Sequence, residues 1–182
     1  STTSATTLTA ITSSGDVTFA TSSTLSTTTN VTMTGANTTL TAPTVTLGNV
    51  TINKTATTNK LTLGSDINLS GNWTNTKGIL TSTSTTVSFV GNDQTISGSN
   101  TFQNLTKQAT TSNKTLTFGA GATTTVAGIL TLNGNSSYIL SLRSSATPTQ
   151  WGINPQGTRT LSYLDVKDSY NINSTVIDMS GT

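Results

Sequence analysis

The sequence predicts an all-β fold, a parallel β-helix or β-solenoid built from short strands. Three observations carry that prediction. Apolar–polar–apolar triplets recur along the whole chain, β-branched hydroxyl residues dominate the composition, and stretches of the chain repeat one another.

The triplets come first because they set the strand period. They are Val17-Thr18-Phe19, Val31-Thr32-Met33, Val45-Thr46-Leu47, Val50-Thr51-Ile52, Leu61-Thr62-Leu63 and Ile67-Asn68-Leu69. Further along stand Val87-Ser88-Phe89, Leu116-Thr117-Phe118, Leu130-Thr131-Leu132, Leu140-Ser141-Leu142 and Leu161-Ser162-Tyr163. Successive side chains of a strand point to opposite faces, so each triplet puts two apolar groups on one side. Gly, Asn, Ser and Asp lie between them and suit tight turns. Many short strands follow from this, and no window carries apolar residues at helical spacing.

Composition points the same way. The 47 Thr and 24 Ser make up about 39% of 182 residues. Thr, Val and Ile are stiff at χ1 and favour strands. Charged residues are 8% and hydrophobic residues 31%; an average domain has about 25% charged. A fold that buries one thin face per strand suits such a chain.

The composition also narrows function. All six acidic residues are Asp, and neither Cys nor His occurs. Disulfides, thiolate metal sites and histidine general bases are therefore excluded. No catalytic residue, metal site or cofactor is expected. The net charge of +2 comes without a Lys/Arg run, which argues against nucleic acid as a partner. No stretch approaches the ~18 apolar residues of a membrane span. The chain starts at Ser1 without Met, as a processed or partial chain would. Few charges, no thiols and dense Thr, Ser and Asn are typical of prokaryotic proteins exported to the cell surface.

Repetition supplies the architecture. Residues 49–64 (NVTINKTATTNKLTLG) and 104–119 (NLTKQATTSNKTLTFG) share N-x-T, Lys, Ala-Thr-Thr, Asn-Lys and a closing apolar-Thr-apolar-Gly, pairing Lys54 with Lys107 and Gly64 with Gly119. A degenerate third copy follows, with Lys167 in the lysine place and Val176 and Met179 near the positions of Leu116 and Phe118. The chain thus reads as one elongated β domain, 1–182, of three repeat units at about 1–53, 54–106 and 107–182. Stacked units of this kind make a solenoid, with an expected turn of roughly 14–20 residues. An antiparallel β-sandwich, pilin-like and completed by a neighbour's strand, uses the same half-buried strands and stays open as the alternative.

Residues 61–169 resemble the repeat regions of large bacterial adhesin-like cell-surface proteins. The resemblance rests on SGNWTN, on VSFVGNDQTISGSNTFQNLT and on LSLRSSATPTQWGINPQGTRTLSYLDVKDS. It covers more than half of the chain, and residues 1–44 lack these motifs. It implies a right-handed parallel β-helix, or a related β-rich stack, on a cell surface.

Several residues invite a functional reading. Asp165 and Asp168 flank Lys167 and offer paired carboxylates for acid–base work or Ca²⁺, but residues three apart in a strand face opposite ways. Arg143 and Arg159 are candidate ion-pair partners for them. Trp73 and Trp151, with Tyr138, Tyr163 and Tyr170, would stack on sugar rings if exposed together and fill the core if not. Ten Asn-x-Ser/Thr patterns, at Asn30, Asn37, Asn49, Asn53, Asn68, Asn72, Asn104, Asn113, Asn135 and Asn173, are glycosylation acceptors by pattern; with 17 Asn, chance alone gives about six or seven. Thr-x-Thr arrays suggest ice binding, against which their irregular spacing argues.

The ends carry the functional expectation. No helical or polar cap is legible at either end, and residues 174–179 read as a strand. Open terminal strands invite pairing with another chain. Leu8, Ile11, Val176, Ile177 and Met179 are the candidate self-association residues. The expected function is that of a structural subunit of an extracellular filament or surface assembly, a homopolymer of copies of itself. The alternatives are a segment of a larger adhesin that binds surface glycans or partner surfaces, an ice-binding solenoid, and a glycan-acting enzyme using Asp165 and Asp168.

Overall fold

The computed structural model describes residues 8–23, 25 and 29–177. Among them there is no helix, and so none long and apolar enough to cross a membrane. The 22 strands form a parallel β-solenoid of about seven turns.

Each turn visits three faces in the same order. Face 1 is one eight-stranded sheet: Ala10–Ser13, Asn30–Met33, Val50–Asn53, Trp73–Lys77, Gln94–Ser97, Lys114–Phe118, Leu140–Ser144 and Leu164–Val166. Face 2 comes next and is split into two four-stranded sheets. The first holds Val17–Thr18, Thr38–Thr41, Lys60–Leu63 and Ile79–Thr81; the second holds Asn100–Phe102, Thr123–Val126, Trp151–Pro155 and Ser169–Asn171. Face 3 is a six-stranded sheet of Thr46–Leu47, Ile67–Leu69, Thr86–Phe89, Asn104–Gln108, Leu130–Asn133 and Arg159–Ser162.

Every ladder between these strands is parallel. That removes the antiparallel sandwich from consideration. The only antiparallel pairing among the described residues is an isolated bridge between Asn135 and Tyr138.

Most turns are longer than the triplet spacing predicts. On face 1 the shortest turn carries the chain from Val31 to its register partner Val50, and the longest from Leu116 to Leu142. The difference has a simple origin. A triplet marks one face, whereas a turn needs three faces and three corners, and not every face carries a clean triplet.

Alternation inside and outside follows the triplets. In ten of the eleven, both apolar residues are buried. Their side chains stack into inward columns, such as Ile11–Val31–Val50–Trp73–Ile96–Phe118 on face 1. The middle residue of each triplet points outward. On face 3 this makes the column Thr46–Asn68–Ser88–Thr106–Thr131–Thr160. On face 1 it makes Thr12–Thr32–Thr51–Thr74.

Two tryptophans fill the core. Trp73 is fully buried, edge-on to Phe102 at 5.4 Å between ring centroids, and its Nε1 donates to Asn100 Oδ1 at 2.9 Å. Trp151 stacks on Phe118 at 3.9 Å, and its Nε1 donates to the Lys167 carbonyl at 3.2 Å. Neither is available to a sugar ring. Tyr138 is partly buried against the core, which leaves Tyr163 and Tyr170 as the exposed tyrosines. The corners demand close backbone approach: at Gly98, with φ of +76°, a Cβ would sit 2.1 Å from the Asn75 carbonyl oxygen, a place only glycine fills.

Candidate functional site: corners, buried lysines and the open last turn

The asparagines that match the glycan-acceptor pattern mostly form part of the frame. Asn30 Oδ1 accepts the Asn49 backbone N–H at 2.8 Å, Asn49 Oδ1 that of Asn72 at 2.7 Å, and Asn72 Oδ1 that of Thr95 at 2.8 Å. Asn37, Asn104 and Asn113 accept in the same way from Lys60, Ile129 and Ile139 one turn on. Asp16, Asp66 and Asp93 do likewise for Thr39, Thr86 and Thr115. Asp and Asn share this role, so the acceptor oxygen is what the corner requires. Each one caps a backbone N–H at or next to the first residue of a strand in the following turn, where the ladder would otherwise leave it without a protein partner.

Asn135 and Asn173 accept from backbone N–H groups of their own turns and donate to the turn before, Asn135 Nδ2 to the Ala109 carbonyl and Asn173 Nδ2 to the Pro155 carbonyl. Asn135 Oδ1 accepts from Ser137 and Tyr138, and Asn173 Oδ1 from Thr175. Asn53 and Asn68 lie on strands of faces 1 and 3.

A prediction follows for the ladder. Asn49→Ala strips the acceptor from the Asn72 N–H and the side-chain donor from Asn30 Oδ1 and is expected to cost about 1 kcal/mol, whereas Asn49→Asp keeps the acceptor, loses the donor and is expected to recover only part of that loss. Urea unfolding of both variants measures the difference.

The two carboxylates do not converge on a common site. Asp165, outward on face 1, forms an ion pair with Arg143 and accepts from its guanidinium. Asp168 sits at a left-handed corner with φ of +57° and accepts from the Thr147 hydroxyl at 2.9 Å. Arg159 instead donates to the Pro155 carbonyl at 2.6 Å. Among the described residues, no three metal-binding side chains cluster. The Arg143–Asp165 pair is solvent-exposed, so Arg143→Ala is expected to change stability by under about 1 kcal/mol, read by thermal unfolding.

No motif in the chain announces the buried polar plug at its middle. Lys107 lies inward on face 3, between Phe89 and Leu132 in register, and is fully buried. Its Nζ donates to the carbonyls of Gly91 and Asn92 at 2.6 and 2.8 Å, and to Gln94 Oε1 at 2.6 Å. Gln94 Nε2 in turn donates to the carbonyls of Leu69 and Gly71. Burial, reinforced by the nearby Lys114 charge and opposed by Asp93, lowers the Lys107 ammonium to about 7. Lys54 is a second such lysine, donating to the Thr38 hydroxyl, with its pKa lowered by burial against the raising effect of Asp16. Strand parity was the available signal, since Asn104-Leu105-Thr106-Lys107 places Lys107 on the side of Leu105.

The last turn is where the column opens. A cavity of about 470 Å³ is lined by Leu132, Leu142, Trp151, Ile153, Leu161, Leu164, Val166, Val176 and Ile177, among others. The eleventh triplet belongs here. Leu161 is half-buried, while Tyr163 takes φ of +49° at a corner and is exposed. Tyr170, Ile172 and Val176 are also exposed, Val176 at 78%.

The candidate self-association residues divide accordingly. Leu8 is exposed and Ile11 is partly buried against the core at the first turn. Ile177 is partly buried at the last turn, beside the exposed Val176. Residues 174–177 do not form the expected strand; Asn173, Ser174 and Thr175 form a run of bends, and no ladder partner fixes the residues that follow. Met179 lies outside the described residues.

No protein-family model, curated protein or solved structure matches the chain.

Proposed function

We propose that this protein is a structural subunit of an extracellular filament or cell-surface assembly, self-associating through the open turns of its solenoid. One observation carries the reading. Among the described residues, the first strands, Ala10–Ser13 and Val17–Thr18, and the last, Leu164–Val166 and Ser169–Asn171, each have a ladder neighbour on one side only. The last turn adds an apolar cavity with the exposed Val176 in its wall. Unpaired strand edges and contiguous exposed apolar surface both favour association. The outer faces, rich in Thr and Asn with few charges, suit a structural protein in water better than a ligand pocket.

The same open edges support a second reading, a segment of a larger cell-surface adhesin in which further turns of the same chain cover them. Surface glycans would then be partners along the faces.

Electron microscopy and light scattering test the first reading. Purified chain at high concentration is expected to form oligomers and thin fibres, with a diffraction repeat of ~4.8 Å along the fibre axis. Val166→Lys, which places a charge in the open last turn, is expected to abolish them. A chain that stays monomeric at high concentration overturns the reading.

A further inference from the structure

We propose that copies join head to tail, the first turn of one solenoid seating on the last turn of the next as an additional parallel rung. This rests on the self-association reading and adds its partner surface and polarity.

The cavity in the last turn is the unfilled end of the inward columns. Leu142–Val166 ends on face 1, Leu132–Leu161 on face 3 and Ile153–Asn171 on face 2. What completes it must present inward apolar groups on strands running in the same direction. The first turn does so on two of the three faces, with Ile11 inward on face 1 and Val17 and Phe19 buried on the face-2 side; among the described residues it has no face-3 strand.

Geometry selects the polarity. Strands follow one another in the order face 1, face 2, face 3, and the first and last turns carry faces 1 and 2 among the described residues. Head-to-tail stacking sets face 1 on face 1 and face 2 on face 2, with all strands parallel, as in every ladder within the chain. A two-fold end-to-end contact makes the facing strands antiparallel and lets only one face meet itself, while the other two meet each other. Head-to-tail contact is heterologous and does not close on itself, so it propagates into a fibre. Ile177, which lines the same cavity, gives way to the incoming turn.

The absence of cysteine makes the test direct. Asp165 points outward on the last face-1 strand, and Ala10 and Thr12 point outward on the first. Neighbouring strands lie about 4.8 Å apart, inside the Cα separation of a disulfide. Side-chain parity leaves Ala10 or Thr12 opposite Asp165. The double variants Ala10→Cys/Asp165→Cys and Thr12→Cys/Asp165→Cys are oxidised and run on non-reducing gels, with circular dichroism as the folding check. A second pair on face 2, Thr18→Cys/Tyr170→Cys, avoids the Arg143–Asp165 ion pair. The expected result is a ladder of linked oligomers from at least one double variant, with Asp165→Cys alone staying monomeric. Covalent dimers from Asp165→Cys alone would show a two-fold contact and overturn the polarity. Association by light scattering with no covalent ladder from any pair also overturns it while leaving the self-association reading standing. No association at all overturns both.

Discussion

Replacing Trp73 by alanine is expected to lower the unfolding free energy by about 3–5 kcal/mol. The side chain is fully buried in the face-1 column between Val50 and Ile96. It also touches Phe102 of the following turn, edge to face, and holds Asn100 through its indole N–H. The place matters as much as the area. Face 2 is split between Ile79–Thr81 and Asn100–Phe102, which share no ladder. Trp73 and Phe89 both pack on Phe102 across that seam, so the aromatic cluster supplies what the hydrogen bonds do not.

A solenoid's stability is approximately a sum of turn and interface contributions. Weakening one interface is therefore expected to divide the molecule as well as destabilise it. Trp73→Ala should unfold in two steps in urea, and hydrogen exchange should show the turns before the seam and those after it losing protection separately. Trp73→Phe keeps an aromatic ring and loses the bond to Asn100, for a cost of about 1–3 kcal/mol. A single cooperative transition in Trp73→Ala, or a loss below about 1 kcal/mol, would show that the seam is held by something else.

The rungs were legible because alternation is a local property. Two residues such as Val31 and Met33 must face the same way whatever the rest of the chain does. The turn length was not legible, because it depends on which triplets stack. Lys54 and Lys107 show the limit. They align in the sequence repeat, yet Lys54 follows a face-1 strand and Lys107 lies within a face-3 strand. Two turns on from Val50 the face-1 column reaches Ile96, an advance shorter than the spacing from Lys54 to Lys107. Likeness in sequence is therefore not likeness of position in the coil. The corner role of the asparagines was not legible for a related reason. Asn-x-Thr reads as an acceptor pattern, but the partner of Asn49 Oδ1 is the backbone of Asn72, 23 residues away. Tyr163 failed its triplet because a left-handed corner turns it outward, and only the three-dimensional path of the chain decides where a corner falls.

Between pH 7 and about 10 the protein is expected to become more stable, with Lys107 as the main cause. The folded ammonium is lowered to about 7 by burial, while an unfolded lysine holds its proton to about 10.4. In that window the unfolded chain binds a proton that the folded chain has released, so unfolding free energy rises with pH. Below pH 7 both states are protonated, and the full cost of a buried charge is present. The full shift corresponds to a gain of about 4 kcal/mol by the upper end of the window. Lys54, lowered in the same direction, adds to the slope. Lys107→Met keeps most of the stem between Phe89 and Leu132 and removes the titrating group, so the slope should flatten to what Lys54 supplies. It also leaves the Gly91 and Asn92 carbonyls and Gln94 Oε1 without their donor. At pH 9.5, where the neutral amine of the parent chain has two N–H groups to give, the variant is therefore expected to be less stable than the parent chain by roughly 2 kcal/mol, since two buried acceptors lose their donor. At pH 6, where it also escapes the buried charge, that deficit should shrink or reverse. Urea unfolding at the two pH values decides the matter: a stability that falls from pH 7 to 9.5, or a slope unchanged in Lys107→Met, would mean that the plug keeps its charge throughout and that the three acceptors hold the ammonium more strongly than burial repels it.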